Sequence, residues 1–282
     1  MSKKIIISAL VALSCIILLV AALYVPLRTI FFHDQAPLKQ AAASYAGLMT
    51  SSTTPEVLHI PIFIYHSVRP DFLGESVMQK SFSITPETFE AQLQYLETHG
   101  YTSITLDELE LDIENGTTSP IAKPVVLTFD DGNRNQYEYA FPLLKKYHDT
   151  ATFFIYTNPI GKDPDFMTWD QVKELDAAGM TIGDHTLSHP YLSKLTPQEL
   201  RIEVLGAKLV LEDHLGKSVV HFASPFGSTS DELVALLKEA GFKTGRTTDK
   251  GAYHSKDDIL RLTGFLVHRD LRDFTWALEH SP

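Results

Sequence analysis

Cysteine is nearly missing from this 282-residue chain; Cys15 is the only one. A single cysteine cannot close an intrachain disulfide, so a disulfide-stapled fold and a cysteine-ligated zinc finger are both excluded. Positive charge is also scarce: 24 Lys and Arg stand against 35 Asp and Glu, for a formal net charge of -11. A nucleic-acid binder needs a basic face to neutralise phosphates, so this balance argues against nucleic acid as a partner. Disorder is disfavoured by the 44% hydrophobic and 21% charged content, which is ordinary for a globular protein. The length suits one or two domains with a substantial core. Metal chemistry, if present, falls to the 12 histidines and the carboxylates.

The charge is unevenly distributed. Residues 1–30 carry Lys3, Lys4 and Arg28 and no acid, which leaves the remainder at -14. Ile5 to Val25 contains no charge, and only Ser8, Ser14 and Tyr24 bring polar atoms. As a helix this run spans roughly 31 Å, about one hydrocarbon core. With two lysines before it, the pattern predicts a single-pass signal-anchor over residues 1–27, a cytoplasmic N-terminus and an exported remainder at the cell membrane. The alternative is a signal peptide cleaved near Ala22, which would release a secreted protein. Cys15 lies inside the apolar run and is a poor lipidation site. Residues 28–56, including Thr50-Ser51-Ser52-Thr53-Thr54-Pro55, read as a linker, and 57–282 as the folded domain. No internal repeat is visible.

Within that domain short apolar runs alternate with amphipathic segments. Strands are expected at Ile60–Tyr65, Val125–Phe129, Ala151–Tyr156, Met180–Gly183, Val219–Ala223 and Gly264–Val267. Helices are expected at Pro86–His99, Gln136–Tyr147, Trp169–Ala178, Pro197–Leu215 and Asp231–Ala240, with Thr85-Pro86, Thr196-Pro197 and Ser230 as start signals. Gly100, Gly179, Gly216 and Gly241 are the stop signals. This alternation predicts parallel βα units and a barrel-like α/β domain. Chemistry in such folds sits where strands end, on the C-terminal face.

Polar clusters do follow the expected strands. Asp130-Asp131-Gly132 succeeds Val125–Phe129. Adjacent carboxylates at a buried strand end repel each other and lose solvation unless a cation or dedicated chemistry offsets the cost; the plain alternative is a helix cap beside a solvated aspartate. After Met180–Gly183 comes Asp184-His185-Thr186-Leu187-Ser188-His189, where a spacing of four allows both imidazoles to face one point. Two imidazoles and a carboxylate make the open three-ligand site that catalytic zinc uses. Ser224-Pro225-Phe226-Gly227, after the strand near Val219, is either an ordinary tight turn or one that aims a backbone N–H into the site as an oxyanion donor.

These motifs, Thr128-Phe129-Asp130-Asp131-Gly132, His185-Thr-Leu-Ser-His189 and Ser224-Pro225-Phe226-Gly227, resemble those of the polysaccharide deacetylase (NodB-homology) family of metal-dependent carbohydrate esterases. Tyr65-His66, Phe82-Ser83 through Phe89, Gly100-Tyr101, Ala151-Thr152-Phe153-Phe154 and Trp169 extend the likeness over roughly residues 58–280. The resemblance implies a distorted, partly open (β/α) barrel. It implies that Asp131, His185 and His189 bind a divalent metal, usually zinc, and that Asp130 is the base acting on a metal-activated water. The Phe226 N–H is then the oxyanion donor. The activity implied is removal of N-acetyl groups from GlcNAc units of an extracellular or cell-wall polysaccharide.

Three departures accompany the likeness. Many members begin the third motif with arginine, which positions the catalytic aspartate; here that residue is Ala223, as in the poly-β-1,6-N-acetylglucosamine deacetylase branch, and Arg261 is a candidate substitute. The late Leu-x-His pattern of the general acid is matched only loosely by Val267-His268, so His66 is a rival acid. Asn133 replaces the usual tyrosine after Asp-Asp-Gly and is expected to alter the groove edge. Trp169 and Pro225 are candidate substrate contacts. His33, His59, His99, His148, His214, His221, His254 and His280 have no ligand spacing. A catalytically silent glycan-binding protein and an amidohydrolase for a small cyclic amide are the competing readings.

Overall fold

The computed structural model describes residues 57–116 and 120–280. The Ile5–Val25 run and the linker to residue 56 lie outside the described residues. Among the described residues no helix is long and apolar enough to cross a membrane.

The strands are β1 (Leu58–His59), β2 (Ile62–Tyr65), β3 (Ser67–Val68), β4 (Ser83–Ile84), β5 (Thr102–Ser103) and β6 (Pro124–Phe129). They continue with β7 (Thr152–Ile155), β8 (Thr181–Asp184), β9 (His221–Ala223), β10 (Thr244–Arg246), β11 (Tyr253–His254) and β12 (Phe265–Leu266). The central sheet runs β10-β9-β8-β7-β6-β2-β12, with β5 also paired to β6. All of its pairings are parallel. The two edges do not share a ladder, but a single parallel bridge from Arg246 to Leu262 links β10 to the chain just before β12. The result is the curled, partly open barrel expected from the sequence. All six expected strands are present: β2, β7, β9 and β12 are two residues shorter, β8 is shifted by one residue, and β6 is one residue longer.

The strands read as continuous apolar runs because both faces are covered. In β2, β6 and β7 every residue from Ile62 to Tyr65, Val125 to Phe129 and Thr152 to Ile155 is buried. Phe63, Leu127 and Phe153 belong to a cluster with the helices, whereas Ile62, Val126 and Phe154 join Ala223 and Leu262 on the opposite face. Tyr65, Phe129 and Phe153 stack across three strands with centroids 5.0 and 4.8 Å apart. Gly183 is required by this packing, since a Cβ there would sit 2.4 Å from the Phe154 ring.

The helices are α1 (Val77–Ser81), α2 (Pro86–Thr98), α3 (Leu106–Asn115), α4 (Phe141–Tyr147), α5 (Trp169–Ala177), α6 (Pro197–Leu215), α7 (Asp231–Glu239) and α8 (Leu271–His280). The expected caps operate: Thr85, Thr196 and Ser230 accept N-terminal amides, as Thr168 also does for α5, and left-handed Gly216 closes α6 onto Glu212. The expected Gln136–Tyr147 helix is split. Gln136–Ala140 is a π turn, and α4 begins around Pro142, which has no N–H to continue the preceding ladder. The α3 helix escaped the periodicity reading, although Thr105 and Glu108 form a capping box. Strand β10 also went unexpected, because Lys243-Thr-Gly-Arg246 contains no apolar run.

His254, given no role from the sequence, ties β11 to the chain entering β2: its Nε2–H donates to the Ile60 carbonyl at 2.9 Å. Burial lowers its pKa to about 4. Unfolded chain takes up a proton near pH 6.5 that folded protein refuses until about pH 4, so stability falls through that window as pH is lowered, by about 3 kcal/mol from this residue alone. Urea denaturation at pH 7 and pH 4.5 should show a smaller acid loss in His254→Gln, which keeps a donor at the Nε2 position. An equal loss in both proteins would refute this assignment.

Candidate active site

Because the central strands are parallel, their C-terminal ends open on one face. His66 follows β2, Asp130 and Asp131 follow β6, His185 and His189 follow β8, Phe226 follows β9, and Arg246 ends β10. His66, Asp130, Asp131, His185, His189 and Phe226 line one cavity of about 1110 Å³.

Asp131 Oδ1 is buried and has no hydrogen-bond partner. It faces His185 Nε2 at 3.7 Å and His189 Nε2 at 3.4 Å. The three ligand atoms lie within 4.8 Å of one another. His185 Nδ1 lies 2.7 Å from the Ala223 carbonyl; an acceptor there requires the proton on Nδ1 and leaves the Nε2 lone pair directed at Asp131. Burial lowers His185 to about pKa 4, so the imidazole is neutral at ordinary pH. An orphaned carboxylate oxygen facing two imidazole nitrogens, one of them with its tautomer set, fits a divalent cation, and zinc accepts such a donor set. Asn133 donates its amide to Asp131 Oδ2 at 3.4 Å.

Asp130 is 2% exposed and Arg246 1%. Arg246 Nη2 bonds both carboxylate oxygens, with Oδ2 at 2.6 Å, while Nη1 donates to the Thr247 carbonyl at 2.9 Å. Burial alone raises the Asp130 carboxyl, but Arg246, then His185 and His66, outweigh it and hold the group below its usual range. His66 Nε2 lies 3.9 Å from Asp130 Oδ2. Gln136, buried in the π turn, donates its amide to the backbone carbonyls of both His66 and Asp130 and so ties two strand ends together.

Arg246 corrects the expectation for Arg261. Arg261 pairs instead with Asp231 on the surface. Arg246 stands beside Ala223 in the β9–β10 register, so the guanidinium arrives from the neighbouring strand in the space a small residue leaves. The only signal in the sequence was an arginine closing a weak strand.

Other expected site residues fall elsewhere. His268 is exposed, donates from Nδ1 to the Ser81 carbonyl at 3.2 Å, and does not line the cavity. Trp169 stacks on His214 at 3.7 Å, joining α5 to α6, also outside the lining. Pro225 is buried under its turn. Phe226 has φ 56; its ring stacks on Tyr191 at 3.9 Å and packs edge-on against His189 at 4.6 Å. One cavity wall was not foreseen: Phe72, Met78 and Phe82 present exposed apolar surface there.

A family model for polysaccharide deacetylase matches residues 117–245. YxkH of Bacillus subtilis (strain 168), named as a polysaccharide deacetylase, is 31% identical over 199 residues, spanning 71% of this chain and 68% of that protein. The chain belongs to the polysaccharide deacetylase family. It is similar to the poly-beta-1,6-N-acetyl-D-glucosamine N-deacetylase of Staphylococcus epidermidis, with 29% identity over 227 residues, 73% of this chain and 78% of the relative. The solved structure of the Streptococcus pyogenes deacetylase PplD in complex with acetate superposes with a TM-score of 0.74 and 28% identity, covering 80% of this chain and 99% of that one. The protein is thus a polysaccharide deacetylase.

Two variants separate the arginines. Arg246→Gln strands a buried carboxylate, which should cost about 3–5 kcal/mol in denaturant unfolding and lower acetate-releasing activity by about 100-fold or more. Arg261→Ala removes a surface pair and should change stability by less than about 1 kcal/mol, with activity intact. The reverse ranking of the two would overturn the placement.

Proposed function

We propose that the protein is a metal-dependent N-deacetylase of a GlcNAc polymer, with β-1,6-linked poly-N-acetylglucosamine as the leading substrate. The observation that carries this reading is Asp131 Oδ1, buried without a partner between two imidazoles and beside an ionised, arginine-held Asp130. The linkage rests on the name of the staphylococcal relative and on Ala223 where many members have arginine.

In this reading Asp131, His185 and His189 hold the metal, with zinc as first choice. A divalent ion there supplies Lewis acidity, which favours deprotonation of water near neutral pH and polarises the acetamide carbonyl. Asp130 accepts the proton of the attacking water, and its pairing with Arg246 keeps it in the carboxylate form that does so. His66 lines the same cavity and is the residue that protonates the departing amine; His268, outside the lining, is not preferred. The Phe226 N–H is the proposed oxyanion donor. Phe72 and Phe82 offer apolar faces for sugar rings in place of Trp169. Acetate and a glycan bearing a free amine leave the site. The Ile5–Val25 run of the sequence supports an activity outside the cytoplasm, tethered to the membrane or, after cleavage near Ala22, secreted.

Acetate release from β-1,6-linked and β-1,4-linked GlcNAc oligomers tests the reading. Faster release from the β-1,6 series, lost on chelation and restored by Zn2+, is the expected result. No release from either series by metal-loaded protein would favour a silent glycan binder. His66→Ala should lower the rate by about 100-fold or more, whereas His268→Ala should leave it unchanged.

A further inference from the structure

The loop that carries both histidines is not helical. Thr186 has φ 70 and His189 φ 57, left-handed values that cost L-residues roughly 1–3 kcal/mol each, and a β-branched threonine especially dislikes them. Such a loop persists only where its surroundings over-determine it. Some of the support is local: Asp184 Oδ1 accepts the Thr186 amide at 2.7 Å, and Thr186 Oγ1 accepts the His189 amide at 3.1 Å. The segment after β7 adds more, with the Thr157 and Asn158 amides donating to the Thr186 and Leu187 carbonyls at 3.1 and 2.9 Å.

The rest comes from one residue of α6. Glu203 Oε2 accepts the amides of Leu187 at 3.1 Å and Ser188 at 2.9 Å, and Oε1 accepts the Ser188 hydroxyl at 2.6 Å. Its own carbonyl lies 3.2 Å from the Leu187 nitrogen and shares that amide. No arginine or lysine pairs with Glu203 among the described residues, so its carboxylate is committed to the loop. Side-chain packing points the same way. Gly206, one turn further along α6, forms a notch for Leu187, and a Cβ at that position would lie 2.7 Å from Leu187 Cδ1. A glycine inside a helix costs about 1 kcal/mol relative to alanine, which close seating of Leu187 offsets.

We propose that Glu203 is a positioning residue of the metal site: its carboxylate holds residues 186–189 in the conformation that turns the His185 and His189 imidazoles toward Asp131. This rests on the metal-site reading above. Glu203 touches none of the three donor atoms and does not line the cavity, and acts through the backbone between the two histidines. Removing it leaves the donors in place but releases the loop to relax from its left-handed conformation, so the cost appears first as weaker metal binding.

The test uses the wild-type chain, Glu203→Ala, Glu203→Gln and, as a control on the outer face of the same helix, Arg201→Ala, which breaks only the pair with Glu239. Zinc affinity is measured by competition with a chromophoric chelator, and amide hydrogen exchange is followed at Leu187 and Ser188. Glu203→Ala should bind Zn2+ about 10–100-fold more weakly and exchange both amides faster. Glu203→Gln, which keeps one acceptor oxygen, should fall between it and wild type; Arg201→Ala should match wild type in both measurements. Zinc affinity within twofold of wild type, together with unchanged exchange in Glu203→Ala, would overturn the proposal. Should the alanine variant not fold, wild-type affinity and exchange in Glu203→Gln would overturn it equally. A wild-type protein without affinity for Zn2+ would sink the metal reading instead, and exchange at Leu187 and Ser188 would still decide whether Glu203 holds the loop.

Discussion

A buried arginine bonded to a buried aspartate is the interaction on which the catalytic face depends. Arg246 and Asp130 are almost wholly withdrawn from water, and neither charge is tolerable there alone. The pair works because the parallel sheet delivers its two members from different strands to the same end. Asp130 leaves β6 and Arg246 closes β10, with three strands between them in the sheet order, and only curling of the sheet brings them into contact. The ion pair therefore reports the curvature of the barrel as much as the chemistry of the site. It also sets the charge of Asp130, where burial and the guanidinium pull in opposite directions and the guanidinium prevails.

Around that pair, rigidity is achieved with backbone that is locally unfavourable. Asp131, Thr186, His189 and Phe226 all have positive φ without being glycine, and all four belong to the motifs at the strand ends. Two of these motifs are held from outside: the 186–189 loop by Glu203, and the first motif by Gln136, whose amide bridges the carbonyls of His66 and Asp130. A site assembled from loops acquires precision when neighbouring elements supply its missing hydrogen bonds. Here α6 and the π turn do so, which gives a physical reason for a π turn directly after the Asp-Asp-Gly motif.

The cavity divides its labour. One part concentrates the ionisable groups, Asp130, Asp131, His66, His185 and His189; another, from the segment between β3 and β4, presents Phe72, Met78 and Phe82. A polymer with apolar sugar faces and polar amide substituents meets both kinds of surface. The net charge of -11 fits a polymer that becomes more cationic as acetate is removed, since like charges do not accumulate between enzyme and product.

Much of this was legible from the chain alone, and the reason is locality. Strand and helix periods, caps such as Thr196-Pro197, and the spacings within Asp130-Asp131 and His185–His189 are properties of contiguous residues, so sequence by itself determined the alternating α/β architecture and the metal-ligand candidates. What it missed at the site was not local. Arg246 ends a strand without an apolar run, and its partner is 116 residues away; Arg261, the candidate substitute, points to Asp231 on the surface. His66 and His268 both end strands and are equivalent on paper; only the sheet order decides that the first lies beside Asp130. Trp169 looked like a sugar platform until packing against His214 spent its face. Residue types and spacings determined which chemistry was available, and tertiary structure decided which side chains take part, because burial and curvature join strand ends that the chain keeps far apart.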